Sequence, residues 1–194
     1  MFSGIVQATA PVLESRQGAG SLTIRVTTPA DWKVKIGDSI STNGVCLTVA
    51  KYEAGWHEYC LVPETLMRTT FGERIPERVN LEQALRMGDQ LNGHVVTGHV
   101  DCVGEITERS SEGDSWRMRI SFPKEFSGLI VNKGSVAVDG ISLTVAETAA
   151  DSFVAVIIPH TSTYTTLGSC QPGAKVNLEF DILAKHLAKM AEKL

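Results

Sequence analysis

Asn43-Gly44-Val45-Cys46-Leu47-Thr48-Val49-Ala50 returns as Asp139-Gly140-Ile141-Ser142-Leu143-Thr144-Val145-Ala146, and this duplication decides the fold. Each octapeptide couples an Asn-Gly or Asp-Gly turn signal to a run of alternating apolar and polar residues, the pattern of a turn feeding a strand. Landmarks on both sides recur in the same order. Ser21-Leu22-Thr23-Ile24-Arg25-Val26 is echoed 94 residues on by Ser115-Trp116-Arg117-Met118-Arg119-Ile120, and Pro29 by Pro123. Pro63-Glu64-Thr65 and Thr69-Thr70-Phe71-Gly72 return 96 residues on as Pro159-His160-Thr161 and Thr165-Thr166-Leu167-Gly168. Val79-Asn80-Leu81-Glu82 returns 97 residues on as Val176-Asn177-Leu178-Glu179. A period this long exceeds the roughly 20–50 residues of a solenoid unit. The chain therefore divides into two similar domains, 1–96 and 97–181, followed by a helix over 182–194.

Within each copy the apolar residues alternate. Leu22, Ile24 and Val26 share one face and Thr23, Arg25 and Thr27 the other, as do Met118, Ile120 and Phe122 in the second copy. Further strands are expected over 4–12, 45–51, 58–62 and 79–85 and at the equivalent places of the second copy. About five or six short strands per copy, joined by Gly-Asp, Asn-Gly and Lys-Gly turns, predict an all-β chain of two small closed barrels. Closure removes exposed sheet edges. After Asp181 the period changes: Ile182, Leu183, His186, Leu187, Met190 and Leu194 recur at helical spacing, with Lys185, Lys189, Glu192 and Lys193 opposite. Asp181 suits an N-cap and the late lysines suit the negative end of the helix dipole. So short a helix needs a surface to pack on, either a barrel end or another subunit.

With 43% apolar and 21% charged residues the composition is that of an ordinary soluble protein. A domain of roughly 90 residues buries only a modest share of its surface, so each copy leans on a neighbour. The net charge of −4 offers no basic face for nucleic acid, and the expected ligand is a small molecule. The opening residues show neither a basic n-region nor a long apolar run, which predicts no signal peptide and no membrane span. Cys46, Cys60, Cys102 and Cys170 form no CxxC pair, so a disulfide scaffold or zinc site is not expected. A cytoplasmic protein with free thiols fits best.

Met1-Phe2-Ser3-Gly4-Ile5-Val6, the two octapeptides, Gly93-His94-Val95-Val96-Thr97-Gly98-His99-Val100 and the closing Asn177-Leu178-Glu179 together resemble the riboflavin synthase family over nearly the whole chain. The resemblance implies a homotrimer whose chains each carry two six-stranded antiparallel Greek-key barrels and associate through the C-terminal helix. It implies one 6,7-dimethyl-8-ribityllumazine per barrel, in a site shared between the N-terminal barrel of one subunit and the C-terminal barrel of the next. The implied reaction is a dismutation in which one lumazine gives a four-carbon unit to another, yielding riboflavin and 5-amino-6-ribitylaminouracil. Donor and acceptor are the same compound, so no cofactor or metal is expected, in keeping with a sequence lacking a dinucleotide-binding glycine loop. Duplication then has a physical purpose: two copies of one site hold two copies of one substrate in reacting position. The rival reading is a non-catalytic lumazine or flavin binder, similar to the antenna proteins of this fold. A flavin domain of a reductase is disfavoured because no nicotinamide-binding domain follows.

Each candidate site residue has a plain alternative. Thr48 and Thr144 occupy equivalent strand positions and are either ligand contacts or simply good strand formers. Cys46 and Ser142 are equivalent but differ in nucleophilicity, although cysteine is commonly buried and inert. Shifting Ser3-Gly4-Ile5-Val6 by 94 gives Thr97-Gly98-His99-Val100, so His99 stands where the sister copy has Ile5. Packing does not demand that histidine, and its near-neutral pKa suits proton transfer at the lumazine C7 methyl group or a ring nitrogen. His94 lies five residues earlier, an odd separation that points the two rings to opposite faces of a regular strand and argues against a metal pair. The resemblance adds Ser39, otherwise a turn-flanking hydroxyl, to the catalytic group of His99, Cys46, Ser142 and Thr144. For substrate binding it implies Met1, Phe2, Gly4, Val6, His94, Gly98, Val100, Lys133, Ile158, Pro159 and Asp181. Lys133 is otherwise a solvated turn residue and Asp181 a helix cap. Glu64-Thr65 and Thr161 occupy equivalent turns suited to ribityl hydroxyls, with His160 replacing Glu64 in the second.

Overall fold

In the computed structural model, which describes residues 1–191, each repeat closes into a six-stranded antiparallel barrel. The first comprises β1 (Ala8–Gln17), β2 (Leu22–Thr27), β3 (Ser39–Thr42), β4 (Val45–Glu53), β5 (Trp56–Leu61) and β6 (Arg78–Gln83), paired around the barrel as β1-β2-β5-β4-β3-β6. The second comprises β7 (Cys102–Glu112), β8 (Ser115–Ser121), β9 (Ser135–Val138), β10 (Ile141–Thr148), β11 (Ser152–Ile157) and β12 (Lys175–Phe180), in the same order. The β3-β4-β5 meander returning beside β2 is a Greek key. A short helix follows β5 (α1, Pro63–Arg68) and β11 (α2, Pro159–Tyr164), and α3 (Ile182–Ala191) ends the described chain.

The octapeptides produce this shape locally. Asn43 (φ 46°) with Gly44 (φ 77°), and Asp139 (φ 46°) with Gly140 (φ 77°), form two-residue turns of the left-handed type that matches strand twist. Bulges between Val12 and Glu14 in β1 and between Val49 and Lys51 in β4 recur between Ile106 and Glu108 and between Val145 and Glu147, bending both sheets at equivalent points. Two expectations change. The strand expected over 4–12 begins only at Ala8, because Gly4 sits at φ 76° and its amide is tied to Glu82. Ser39–Thr42, with Ile40 as its one aliphatic residue, was too polar to register as a strand, yet it pairs with both β4 and β6.

The barrels have separate cores, and these differ in kind. In the first, buried His57 lies 2.8 Å from Thr28 Oγ1 through Nδ1 and 2.8 Å from Tyr59 Oη through Nε2. In the second, Phe122, Phe153 and Phe180 fill the space, with Phe122 tilted against Phe153 and edge-on to Phe180. Burial lowers the His57 pKa to about 4, so as pH falls from 6.5 toward 4 the unfolded chain gains a proton that the folded barrel refuses.

A pseudo-twofold axis relates the barrels and passes between Gly44 and Gly140, where a Cβ on Gly44 would lie 2.6 Å from the Gly140 nitrogen. Around it two asparagines reach across reciprocally. Asn80 donates to the Asp139 carbonyl at 3.0 Å and accepts from the Thr166 amide at 2.8 Å. Asn177 donates to the Asn43 carbonyl at 2.8 Å and accepts from the Thr70 amide at 2.8 Å. Both side chains are buried, and each uses its amide nitrogen and its oxygen, which stabilises this polar interface because unpaired groups there would be costly.

The C-terminal helix starts where the sequence places it, with Asp181 Oδ1 accepting the Leu183 amide at 2.9 Å. It packs beside the 3₁₀ turn at Lys124–Leu129 and leaves Leu183, Leu187 and Met190 about two-thirds exposed. Its stripe therefore does not cover a barrel end. Glu192, Lys193 and Leu194, which belong to the same expected helix, lie outside the described residues. Among the described residues no helix is long and apolar enough to cross a membrane.

Asp139 and Asn43 hold equivalent turns, each accepting a β-strand amide, from Asn177 at 2.8 Å and from Asn80 at 2.7 Å. Burial raises the Asp139 pKa to about 7, so its contribution to folding stability is fully present below pH 4, where the unfolded carboxyl is also protonated, and is lost as pH rises through 7. Asp139→Asn is expected to be more stable than the parent at pH 8, on the order of a few kcal/mol, with the gain shrinking at pH 5. Urea denaturation at the two pH values measures this; an equal gain at both would remove the ionisation argument.

Candidate functional site

The sequence-selected residues gather on the outer faces of the barrels, because the inner faces are filled with aliphatic and aromatic side chains. On the first barrel, Ser39 faces Thr48 across β3 and β4, and Ser41 faces Cys46. On the second, Ser135 faces Thr144 and Ala137 faces Ser142 across β9 and β10. Thr48 and Thr144 are exposed, while Cys46 and Ser142 are half-buried under chain that arrives from elsewhere.

That covering chain is exchanged between the barrels. The Cys46 amide donates to the Gly98 carbonyl at 2.8 Å, and the Ser142 amide to the Gly4 carbonyl at 2.7 Å. Val100, numbered with the second repeat, packs in the first core, and Val6 packs against the second. Each crossing segment is also held by the last strand of its own barrel. Glu82 accepts from the Ser3 amide and hydroxyl, both at 2.7 Å, and from the Gly4 amide at 3.0 Å. Glu179 binds Thr97 and Gly98 in the same way, at 2.7, 2.7 and 2.8 Å. Burial raises the Glu82 pKa, and the bonds from Ser3, Gly4 and Ile5 work against that rise. Both glycines adopt positive φ, and a Cβ on either would lie within 2.6 Å of the Cys46 or Ser142 Cβ.

The exchange separates the two histidines. His99, beside Gly98, belongs to the Cys46 face, and its ring is exposed. His94 belongs to the Ser142 face: it is buried, its Nδ1 lies 2.7 Å from Ser142 Oγ, and its Nε2 has no hydrogen-bond partner. Burial lowers the His94 pKa, an effect that nearby Asp181 partly opposes. The ring is thus held neutral and able to exchange a proton with the serine hydroxyl. Gly93 makes the approach possible, since a Cβ there would collide with the Ser3 carbonyl.

The remaining candidates fall into three groups. Val62 with Glu64-Thr65 and Ile158 with Pro159-His160-Thr161 stand at equivalent helix starts, with Val62 and Ile158 exposed and neither N-cap side chain engaged. Their first-turn amides are therefore available to a ligand. Glu64 pairs with Arg68, whereas their equivalents His160 and Tyr164 form a tilted ring pair. Lys133 stands at φ 63°, where the sister position is Gly37 (φ 92°), and both amides donate to a β4 or β10 carbonyl. Phe2 is fully buried among Val96, Ala137 and the partly buried Cys46 and Ala84. It supports Cys46 from behind and presents no open apolar wall. Met1 is exposed, its carbonyl accepting from the Leu85 amide at 3.0 Å.

Sequence reasoning passed over Asn80, Glu82, Asn177 and Glu179, although a signal was there. In both closing strands a polar residue is repeated at the positions facing away from the core, which marks a face buried against something polar. A cleft of about 1020 Å³ between the barrels beside Thr70 and Thr166 contains none of the sequence-selected residues. The candidate faces are open shelves, and each lacks an outer wall.

Fold and site together define a tandem-barrel protein with two equivalent outer faces of one ancestry and different side-chain chemistry. Both repeats match the lumazine binding domain, over residues 3–84 and 97–181. The chain is 44% identical over 201 residues to the riboflavin synthase of Mycobacterium tuberculosis (strain ATCC 25618 / H37Rv), covering 98% of each chain. It is 38% identical over 193 residues to that of Photobacterium phosphoreum, covering 98% of this chain and 88% of the other. Among solved structures, LumP complexed with riboflavin superposes with a TM-score of 0.86 at 26% identity, over 93% of this chain and 99% of that one. The chain belongs to the riboflavin synthase family of proteins built from paired lumazine binding domains.

A lysine in the left-handed region costs about 1 kcal/mol relative to glycine. Lys133→Gly is therefore expected to leave the melting temperature unchanged or higher while lowering turnover at least about tenfold. Unchanged turnover would return Lys133 to the role of a turn residue.

Proposed function

We infer that this chain catalyses the riboflavin synthase reaction, the dismutation of two 6,7-dimethyl-8-ribityllumazine molecules into riboflavin and 5-amino-6-ribitylaminouracil. The observation that carries the reading is the pair of equivalent faces whose chemistry has diverged, Cys46 with His99 on one and Ser142 with His94 on the other. A simple carrier of two identical ligands needs no such difference. Residues 1–96 and 97–181 act as two ligand-binding units whose caps are exchanged.

Each lumazine lies on an outer face, its ring system over β3–β4 or β9–β10 and its ribityl chain toward α1 or α2. Thr48 and Thr144 contact the ring, and Ser39, Lys133 and Asp181 border it. The four-carbon transfer requires removal of a proton from a C7 methyl group and delivery of protons to nitrogen atoms released on cleavage. His94 with Ser142 is the proton relay at one face, and His99, on the segment that caps Cys46, serves the other. No electrons leave the pair of substrates, because one lumazine is oxidised as the other is reduced.

A pseudo-twofold axis within the chain keeps its two faces from closing on each other. The first-barrel face of one subunit instead closes on the second-barrel face of the next, a head-to-tail contact that forms a ring when its rotation closes. A homotrimer joined through the exposed Leu183, Leu187 and Met190 satisfies both the open shelves and the bare helix stripe. Four unpaired cysteines and the acidic net charge fit a cytoplasmic protein with no nucleic-acid partner.

Incubation of the purified protein with the lumazine should generate riboflavin fluorescence. Tight binding without turnover would instead establish an antenna-type binder. His94→Gln and Ser142→Ala are each expected to lower turnover by roughly 10²-fold, with the double variant little worse than either single one, since the pair acts as a unit. Multiplicative losses would break up the relay.

Leu187→Glu places a charge in the helix stripe and should abolish both the trimer, by sedimentation, and turnover, while ligand binding to separate barrels persists. A fully active monomer would refute the shared site.

A further inference from the structure

Beside the first-barrel face lies a second cleft, of about 390 Å³, between the β2–β3 connection and the segment after β6. Lys33, Lys35 and Arg86 line it with Asp38 and Ser39, a surplus of two positive charges on a chain whose net charge is −4. None of the three cationic groups takes part in an ion pair among the described residues, whereas most other arginines do. The two nearby carboxylates point to backbone instead: Asp38 accepts the Lys35 amide at 2.9 Å and Asp89 the Arg86 amide at 2.7 Å.

The barrel does not need these charges. Matching the Lys35–Asp38 turn to the Val131–Gly134 turn, each closed by the same backbone bond, puts Lys33 and Lys35 opposite Leu129 and Val131. The 97-residue shift of the closing strands puts Arg86 opposite Leu183. Three positions that are apolar in one copy are all cationic in the other, and all three border one cleft. Like charges gathered without counter-ions repel one another, and an anion seated among them relieves that cost. Ser39 supplies a hydroxyl at the same place, directly opposite Thr48 on the candidate ligand face.

We propose that this cleft is a phosphate-binding site, held by Lys33, Lys35, Arg86 and the Ser39 hydroxyl. The ligand is free inorganic phosphate, and the site stands on the cleft alone. The second barrel, with leucine and valine at the matching positions, has no such site, so one phosphate binds per chain.

Calorimetric titration of the full chain with inorganic phosphate, at ionic strength held constant with potassium chloride, should show saturable binding of one equivalent. The triple variant Lys33→Gln/Lys35→Gln/Arg86→Gln changes only exposed side chains and should weaken that binding at least tenfold, with circular dichroism confirming its fold. Lys51→Gln, a surface control elsewhere on the first barrel, should not. Non-saturable uptake, or equal affinity in the triple variant, overturns the site.

Discussion

Two buried asparagines hold the molecule together at its centre. Asn80 and Asn177 each use a donor and an acceptor on the opposite barrel, and the glycines at the axis let the turns meet backbone to backbone. Such an interface fixes orientation more strictly than an apolar one, because a small rotation would strand four buried polar groups. Everything functional depends on that orientation. The crossing segments reach Cys46 and Ser142 only when the barrels stand in this relation, and the His94–Ser142 contact joins the linker to the second barrel through it.

Symmetry in the backbone is combined with asymmetry in the side chains. Turns, bulges, carboxylate clamps and helix starts are duplicated with nearly the same geometry. Against this constant frame the differences stand out as chemistry: cysteine against serine, a buried against an exposed histidine, lysine against glycine in a left-handed turn, glutamate against histidine at the helix start. A reaction between two molecules of one compound needs this combination. The frame recognises the same substrate twice, and the differing residues assign each molecule a separate part.

Much of the fold was legible in the sequence. The repeat announced two domains, alternation gave most strands, the Asn-Gly and Asp-Gly pairs gave the central turns, and Asp181 marked the start of the helix. The rest was hidden for identifiable reasons. Ser39–Thr42 is a strand because both neighbours pair with it, and no local pattern reports that. Val6 and Val100 read as apolar in both copies, and an apolar residue does not say which of two similar cores receives it. The catalytic emphasis on His99 followed from comparing repeats. The partner of His94 emerged only once the linker was seen lying across the other barrel.

The crossing segments also tie the two barrels to the direction of synthesis. A chain emerging from the ribosome N-terminus first, at roughly 5–20 residues per second, would ordinarily fold its first domain before the second exists. Here all six strands of the first barrel are available once Gln83 has emerged, but its cover, Gly98 to Val100, follows only later. The second barrel finds its cover, Gly4 to Val6, made before any strand of the first and held in readiness by Glu82. The first domain to be made is therefore finished by the beginning of the second, and neither half reaches its final form as a solitary product of translation.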